Sequence, residues 1–223
     1  MTDKLKTMSK SEKIEYYKNR NDIVTIATGN TKLGSKICGL SLPAGVTCRE
    51  DAPCRSICYC NKGFQILPVV IGAYLKNYRI YTINPNSFFQ QVCDYLQKSK
   101  YKYMRVFDSG DLPDKEFLPN LIQKVILPNP DIKFLMFTKR YEWVNEYMDK
   151  NEVPSNFRIV FSHWDKNWKV PNPHNLACSY VSFKDNSLNP NIPENSLDCL
   201  GHCSNCFRCW NLKDGENILF KQH

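Results

Sequence analysis

The chain has 223 residues, of which 42% are hydrophobic and 13% aromatic, and its formal net charge is +8. That length supports one substantial core, and no stretch approaches the roughly 18 unbroken apolar residues of a membrane span, so no membrane partner is expected. The start, MTDKLKTMSKSEK, is charged throughout and has no apolar signal core, which predicts a cytoplasmic protein.

Residues 1–20 read as a polar helix, and IVTIAT (23–28) and ICGLSL (37–42) as strands on either side of a turn-rich Gly29-to-Ser35 segment. The apolar run from Phe64 to Tyr78 predicts a helix disturbed at Pro68. Phe88, Phe89, Val92 and Leu96 recur at helical spacing, and Cys93 falls on the same stripe as a core residue. An alternation follows: strand YMRVF (103–107), amphipathic helix 114–127, strand KFLMFT (133–138), helix 141–150, strand RIVFS (158–162) and strand CSYVSF (178–183). Helices between short apolar strands imply βα units and a mostly parallel sheet with right-handed crossovers. The expected fold class is therefore α/β: a partial, open βα barrel over 21–185 with a cysteine-rich C-terminal extension over 186–223 that binds metal.

Eleven cysteines in a reducing compartment point to metal or redox chemistry, and their odd number argues against a disulfide scaffold. The C-terminal group, Cys199, Cys203, Cys206 and Cys209, has C-x3-C-x2-C-x2-C spacing. Tight spacing lets thiolates of one short loop reach different irons of a [4Fe–4S] cluster, whereas structural zinc usually takes two knuckles separated by a longer loop. A cluster is favoured, with zinc the alternative. Cys178 is either a distant ligand or a buried strand residue. The first group holds Cys48, Cys54, Cys58 and Cys60. Three of these would hold a cluster with one iron open to a small-molecule cosubstrate. Cys48, Cys54 and Cys58 form one candidate triad, and Cys54, Cys58 and Cys60 the other. Arg49 and Arg55 would offset the cluster's negative charge, and Cys38 is expected to be structural.

In parallel sheets and βα barrels, ligands bind beyond the C-terminal strand ends. The first cysteine loop, Asp108–Asp111, Thr138–Arg140 and Ser162–Asp165 all follow strands, so they should share one mouth. There Asp108 and Asp111 are either cosubstrate ligands or helix caps. Lys139 and Arg140 suit a phosphate or carboxylate, or plain surface placement. His163 is a proton donor or a hydrogen-bonded structural residue. Residues 98–105, KSKYKYMR, carry four cations interleaved with tyrosines and no acid, a pattern that fits either a nucleic-acid backbone or a solvated face.

Several stretches together resemble a phage-encoded family, the gene product eighty-eight-like family: TGNTKLGSKICGLSLPAGVTC, the C-x3-C-Y that follows, RVFDSGD, a strand ending in Thr-Lys, and the cysteine-rich C-terminus. The similarity runs over roughly residues 28–210 and extends distantly to radical SAM proteins. That resemblance implies a partial barrel and S-adenosylmethionine bound at the open iron. It also implies that Ser109, Gly110 and Asp111 receive the methionine amino group, and that the substrate is a nucleotide, nucleic acid or peptide. The usual radical SAM loop is C-x3-C-x2-C, whereas this chain has C-x5-C-x3-C-x-C. A phage-encoded chain of this kind would work in the host cytoplasm.

Overall fold

The computed structural model describes residues 23–165, 167–182 and 192–221; the helix expected over 1–20 lies outside the described residues. There are seven short strands among the described residues, the first four separated by helices: β1 (Ile37–Leu40), β2 (Tyr103–Val106), β3 (Lys133–Thr138), β4 (Phe157–His163), β5 (Ala177–Ser182), β6 (Leu197–Asp198) and β7 (Asn217–Lys221). They form one open, all-parallel sheet in the order β1-β2-β3-β4-β5-β7-β6. The protein is therefore α/β, as the alternation predicted. No helix among the described residues is long and apolar enough to cross a membrane.

Side-chain alternation along the strands divides the core in two. Leu40, Met104, Val106, Met136 and Phe161 point to the side covered by helices α1 (Pro68–Ile83), α2 (Pro85–Lys98), α3 (Phe117–Leu121) and α4 (Tyr141–Met148). Tyr81, Phe88, Phe89 and Phe117 pack edge-on or tilted at 5.0 to 6.0 Å between ring centroids. Burying each such ring contributes about 2 to 3 kcal/mol. Cys38 and Cys178 lie in this helix-side core and Cys93 is buried beside Asn129, so all three are packing residues.

Ile37, Leu135, Val160 and Ala177 point to the opposite side, where Cys209, Trp210 and Leu212 cover them. The C-terminal segment is thus not a separate extension. Its β7 runs beside β5, and its short helix α5 (Cys203–Cys206) and following turn close the helix-free face. Cys199 N–H to Leu219 O at 2.8 Å joins the segment to itself, and two bonds tie it to the rest of the chain, Cys203 N–H to Lys32 O at 2.9 Å and Trp210 Nε1–H to Met104 O at 3.1 Å. Trp210→Phe keeps the ring and leaves that buried carbonyl one donor short. A loss of about 2 kcal/mol is expected in urea unfolding. An unchanged midpoint would show that the bond contributes nothing.

Three local expectations are corrected. IVTIAT forms only one antiparallel bridge, Ala27 with Gly39. The buried Asn77 amide replaces a neighbouring strand by accepting from Thr25 N–H at 2.7 Å and donating to Thr25 O at 2.9 Å. Pro68 does not disturb a helix but begins one, at a position where a missing N–H costs nothing. The 114–127 helix starts at Phe117, after Asp114 Oδ1 accepts from the backbone N–H of Glu116 and Phe117, each at 3.0 Å. It then widens into a π turn over Ile122–Ile126.

Candidate functional site

With every strand parallel, the loops after β1, β2 and β3 open at one edge of the sheet. The chain turns sharply on leaving β2. Phe107 has φ 65°, and its N–H donates to Leu40 O at 2.7 Å. A left-handed residue other than glycine costs about 1 to 2 kcal/mol, a cost met here by burying the ring among Phe117 and its neighbours. Ser41 Oγ then accepts from the N–H of Asp108 (3.2 Å) and of Ser109 (3.3 Å).

Asp111 follows and is buried. Its Oδ1 accepts from the Thr138 hydroxyl at 2.6 Å and from Leu112 N–H at 2.8 Å, and its Oδ2 accepts from Lys139 N–H at 2.9 Å. Burial raises this carboxyl above the usual range, opposed by those same donors. Asp111 therefore straps the β2 loop to the end of β3, and Asp114 does the helix capping. Ser109 is buried as well, and the Asp111 carboxylate already accepts three hydrogen bonds from the protein.

In the first cysteine group, Cys48, Cys54 and Cys58 all lie within the field of the Lys139 ammonium. Cys48 also interacts with Cys54, and Cys54 with Cys58. Burial pushes Cys48 and Cys54 up, whereas the hydrogen bond with Cys60 brings Cys58 down to about 6 and raises Cys60 in turn. Cys60 Sγ lies 3.9 Å from Asp108 O. The guanidinium of Arg49 is already paired with Asp51 at 2.9 Å and Glu142 at 2.8 Å, and Arg55 donates to Arg49 O. Lys139, whose Nζ lies 5.2 Å from the Trp164 ring, is a cation whose field reaches all three thiols. Arg140 donates to Thr47 O and Leu112 O and lies over Trp143, so it clamps loops rather than awaiting an anion. His163 stacks on Tyr180 at 4.7 Å, and burial lowers its pKa to about 4, leaving it neutral near pH 7.

The second group gathers around one small cavity, lined by Cys199, Cys203, Cys206 and Cys209 with Phe207 and Trp210 among the walls. Burial raises Cys203, and it raises Cys209 to about 12; the nearby Arg105 guanidinium opposes both shifts. His202 in the same run is exposed. Among the described residues, no group of three or more His, Cys, Asp or Glu is placed so that it could hold a metal ion.

Between the two groups lies a buried ion pair, Arg105 Nε to Asp108 Oδ1 at 3.0 Å, with Arg105 also 4.8 Å from the Phe137 ring. Asp108 Oδ2 accepts from Asn30 Nδ2 at 3.2 Å, and its backbone O accepts from the Tyr59 hydroxyl. The pair thus touches Tyr59 and Cys60 on one side and is felt by Cys203 and Cys209 on the other. Sequence offered little sign of it, because Arg105 reads as one more cation in KSKYKYMR. Its parity with Tyr103, opposite to buried Met104, was the usable signal.

The model of a family described as gene product 88 matches residues 10–212. No curated protein and no solved structure matches the chain.

Proposed function

The chain belongs to the gene product 88 family, and for this member we propose an iron–sulfur protein with cluster sites at both cysteine groups. The observation that carries the proposal is the lining of one cavity by all four C-terminal cysteines, beside a buried arginine. Four thiolates concentrate negative charge, and a guanidinium taken out of water is a strong compensating charge. Cys48, Cys54 and Cys58 would hold the first cluster, with Lys139 playing the same part for it. When bound, a [4Fe–4S] cluster supplies one-electron chemistry, and an iron lacking a protein thiolate offers a cosubstrate position. Phe207 and Trp210 shield the second site from water, which favours thiolate–cluster bonding over hydrolysis.

Two features support a radical SAM-like partial barrel acting on a nucleotide, nucleic acid or peptide. Strands β1 to β5 lie side by side in chain order, and a cysteine loop follows the first of them. Ser109–Asp111 gives no support, so no step is drawn through S-adenosylmethionine. The second reading is a non-catalytic iron–sulfur or zinc protein that binds nucleic acid or senses redox state. It rests on the same four cysteines, Cys199, Cys203, Cys206 and Cys209, since four thiolates drawn together also satisfy zinc. Either reading requires a reducing compartment, such as the cytoplasm of a phage host.

Anaerobic purification with iron, sulfide and zinc analysis tests the proposal. Iron and acid-labile sulfide in equal amounts, with a broad visible absorbance, are expected. Zinc without sulfide would replace the cluster by the alternative, and a colourless, metal-free, folded protein would overturn both.

A further inference from the structure

At the other edge of the sheet, where β1 and β2 begin, lies a cavity of about 590 Å³ lined by Lys36, Lys100, Lys102, Tyr101, Tyr103 and Phe207. Its size is within the range of ligand sites, and no acidic residue is among those lining it. Lys36, Lys100 and Lys102 are exposed, and among the described residues none of them enters a salt bridge. One wall is aromatic: Phe207 stacks on Tyr103 with centroids 4.1 Å apart and 29° between planes. Trp210 meets Tyr103 edge-on at 5.9 Å and is itself bonded to Met104 O, so the wall is held in place before any ligand arrives.

We propose that this cavity binds single-stranded nucleic acid, with Lys36, Lys100 and Lys102 on successive phosphates and a base entering against Tyr101 and the Tyr103–Phe207 wall. Three ammonium groups at one opening suit a chain of phosphates better than one isolated anion. Aromatic rings in the recess favour a single strand, because a duplex keeps its base faces stacked and cannot present them to a ring. The site goes beyond the cluster proposal. It lies at the opposite strand ends from the first cysteine loop; Phe207 lines both this cavity and that of the second group, and Trp210 of the second group packs on Tyr103.

Fluorescence anisotropy with a labelled oligothymidylate of roughly a dozen nucleotides, titrated at several salt concentrations, tests this on the anaerobically prepared full chain. Lys36→Ala/Lys100→Ala/Lys102→Ala is expected to weaken binding at least about tenfold and to flatten the log–log salt slope by about 2. Tyr101→Ala should weaken binding about tenfold with the slope unchanged. Because the three lysines are exposed, the triple variant should fold like the parent. The exposed-lysine control Lys150→Ala/Lys169→Ala/Lys213→Ala should bind as the parent does. Three results would each overturn the proposal: a triple variant that binds unimpaired, a duplex bound as tightly as the single strand, or full displacement by inorganic phosphate at matched phosphate concentration. Iron counts on the same preparations keep the two proposals apart. Iron-free protein that still holds the oligonucleotide sinks the clusters alone, and iron-loaded protein that ignores it sinks the groove alone.

Discussion

Cys48→Ala is expected to remove all the iron of the first cysteine group, while Cys60→Ala leaves that iron bound. Cys48, Cys54 and Cys58 share one cation, Lys139, and influence one another in sequence. Cys60 instead approaches Asp108 O at 3.9 Å and is hydrogen-bonded with Cys58. A ligand must be a thiolate, and the hydrogen bond with Cys60 favours the ionised form of Cys58. Iron per chain, with the EPR signal of the reduced protein, measures both variants. Loss of iron in Cys60→Ala and retention in Cys48→Ala would make Cys54, Cys58 and Cys60 the ligand set.

Gly110→Ala is expected to cost about 4 kcal/mol, read as a lowered urea midpoint with unchanged steepness. Gly110 has φ 81°, and a Cβ there would lie 2.6 Å from Leu42 O, 2.6 Å from Thr47 Oγ1 and 2.9 Å from Leu42 C. Two of these are backbone atoms that cannot step aside. The third, Thr47 Oγ1, donates to Pro43 O at 3.2 Å and accepts from Asp111 N–H at 3.1 Å, so displacing it loosens the strap that carries Asp111. Gly72 is the contrasting control. It lies within α1 with nothing within 4 Å of its would-be Cβ, and Gly72→Ala should stabilise the chain by about 0.5 to 1 kcal/mol. If Gly110→Ala unfolds within about 1 kcal/mol of the parent, the close approach of the β2 loop to the cysteine loop is wrong.

What the sequence by itself determined is what short-range pattern encodes. Apolar runs of four to seven residues separated by helical spacing mark β2 to β5 and α4, because burial on a strand or helix face demands that periodicity. Strand direction follows from the helical crossovers, and with it the shared edge where the first cysteine loop, Asp108 and Lys139 meet. Cysteine spacing marked both candidate metal groups. Tertiary structure alone decided the partners. IVTIAT has the composition of a strand, yet apart from the Ala27–Gly39 bridge its backbone is satisfied by the side chains of Asn77 and Gln91, residues 52 and 67 positions away that no local pattern identifies. Asp111 looks like a ligand or a cap, and only the arrival of Thr138 and Lys139 at the same edge makes it a strap. The C-terminal cysteines look like an appendage until β7 pairs with β5 and Trp210 reaches Met104 O, which seats them over the buried Arg105. Local energetics chose the elements, while the need to pair every buried charge and carbonyl across the chain chose their neighbours.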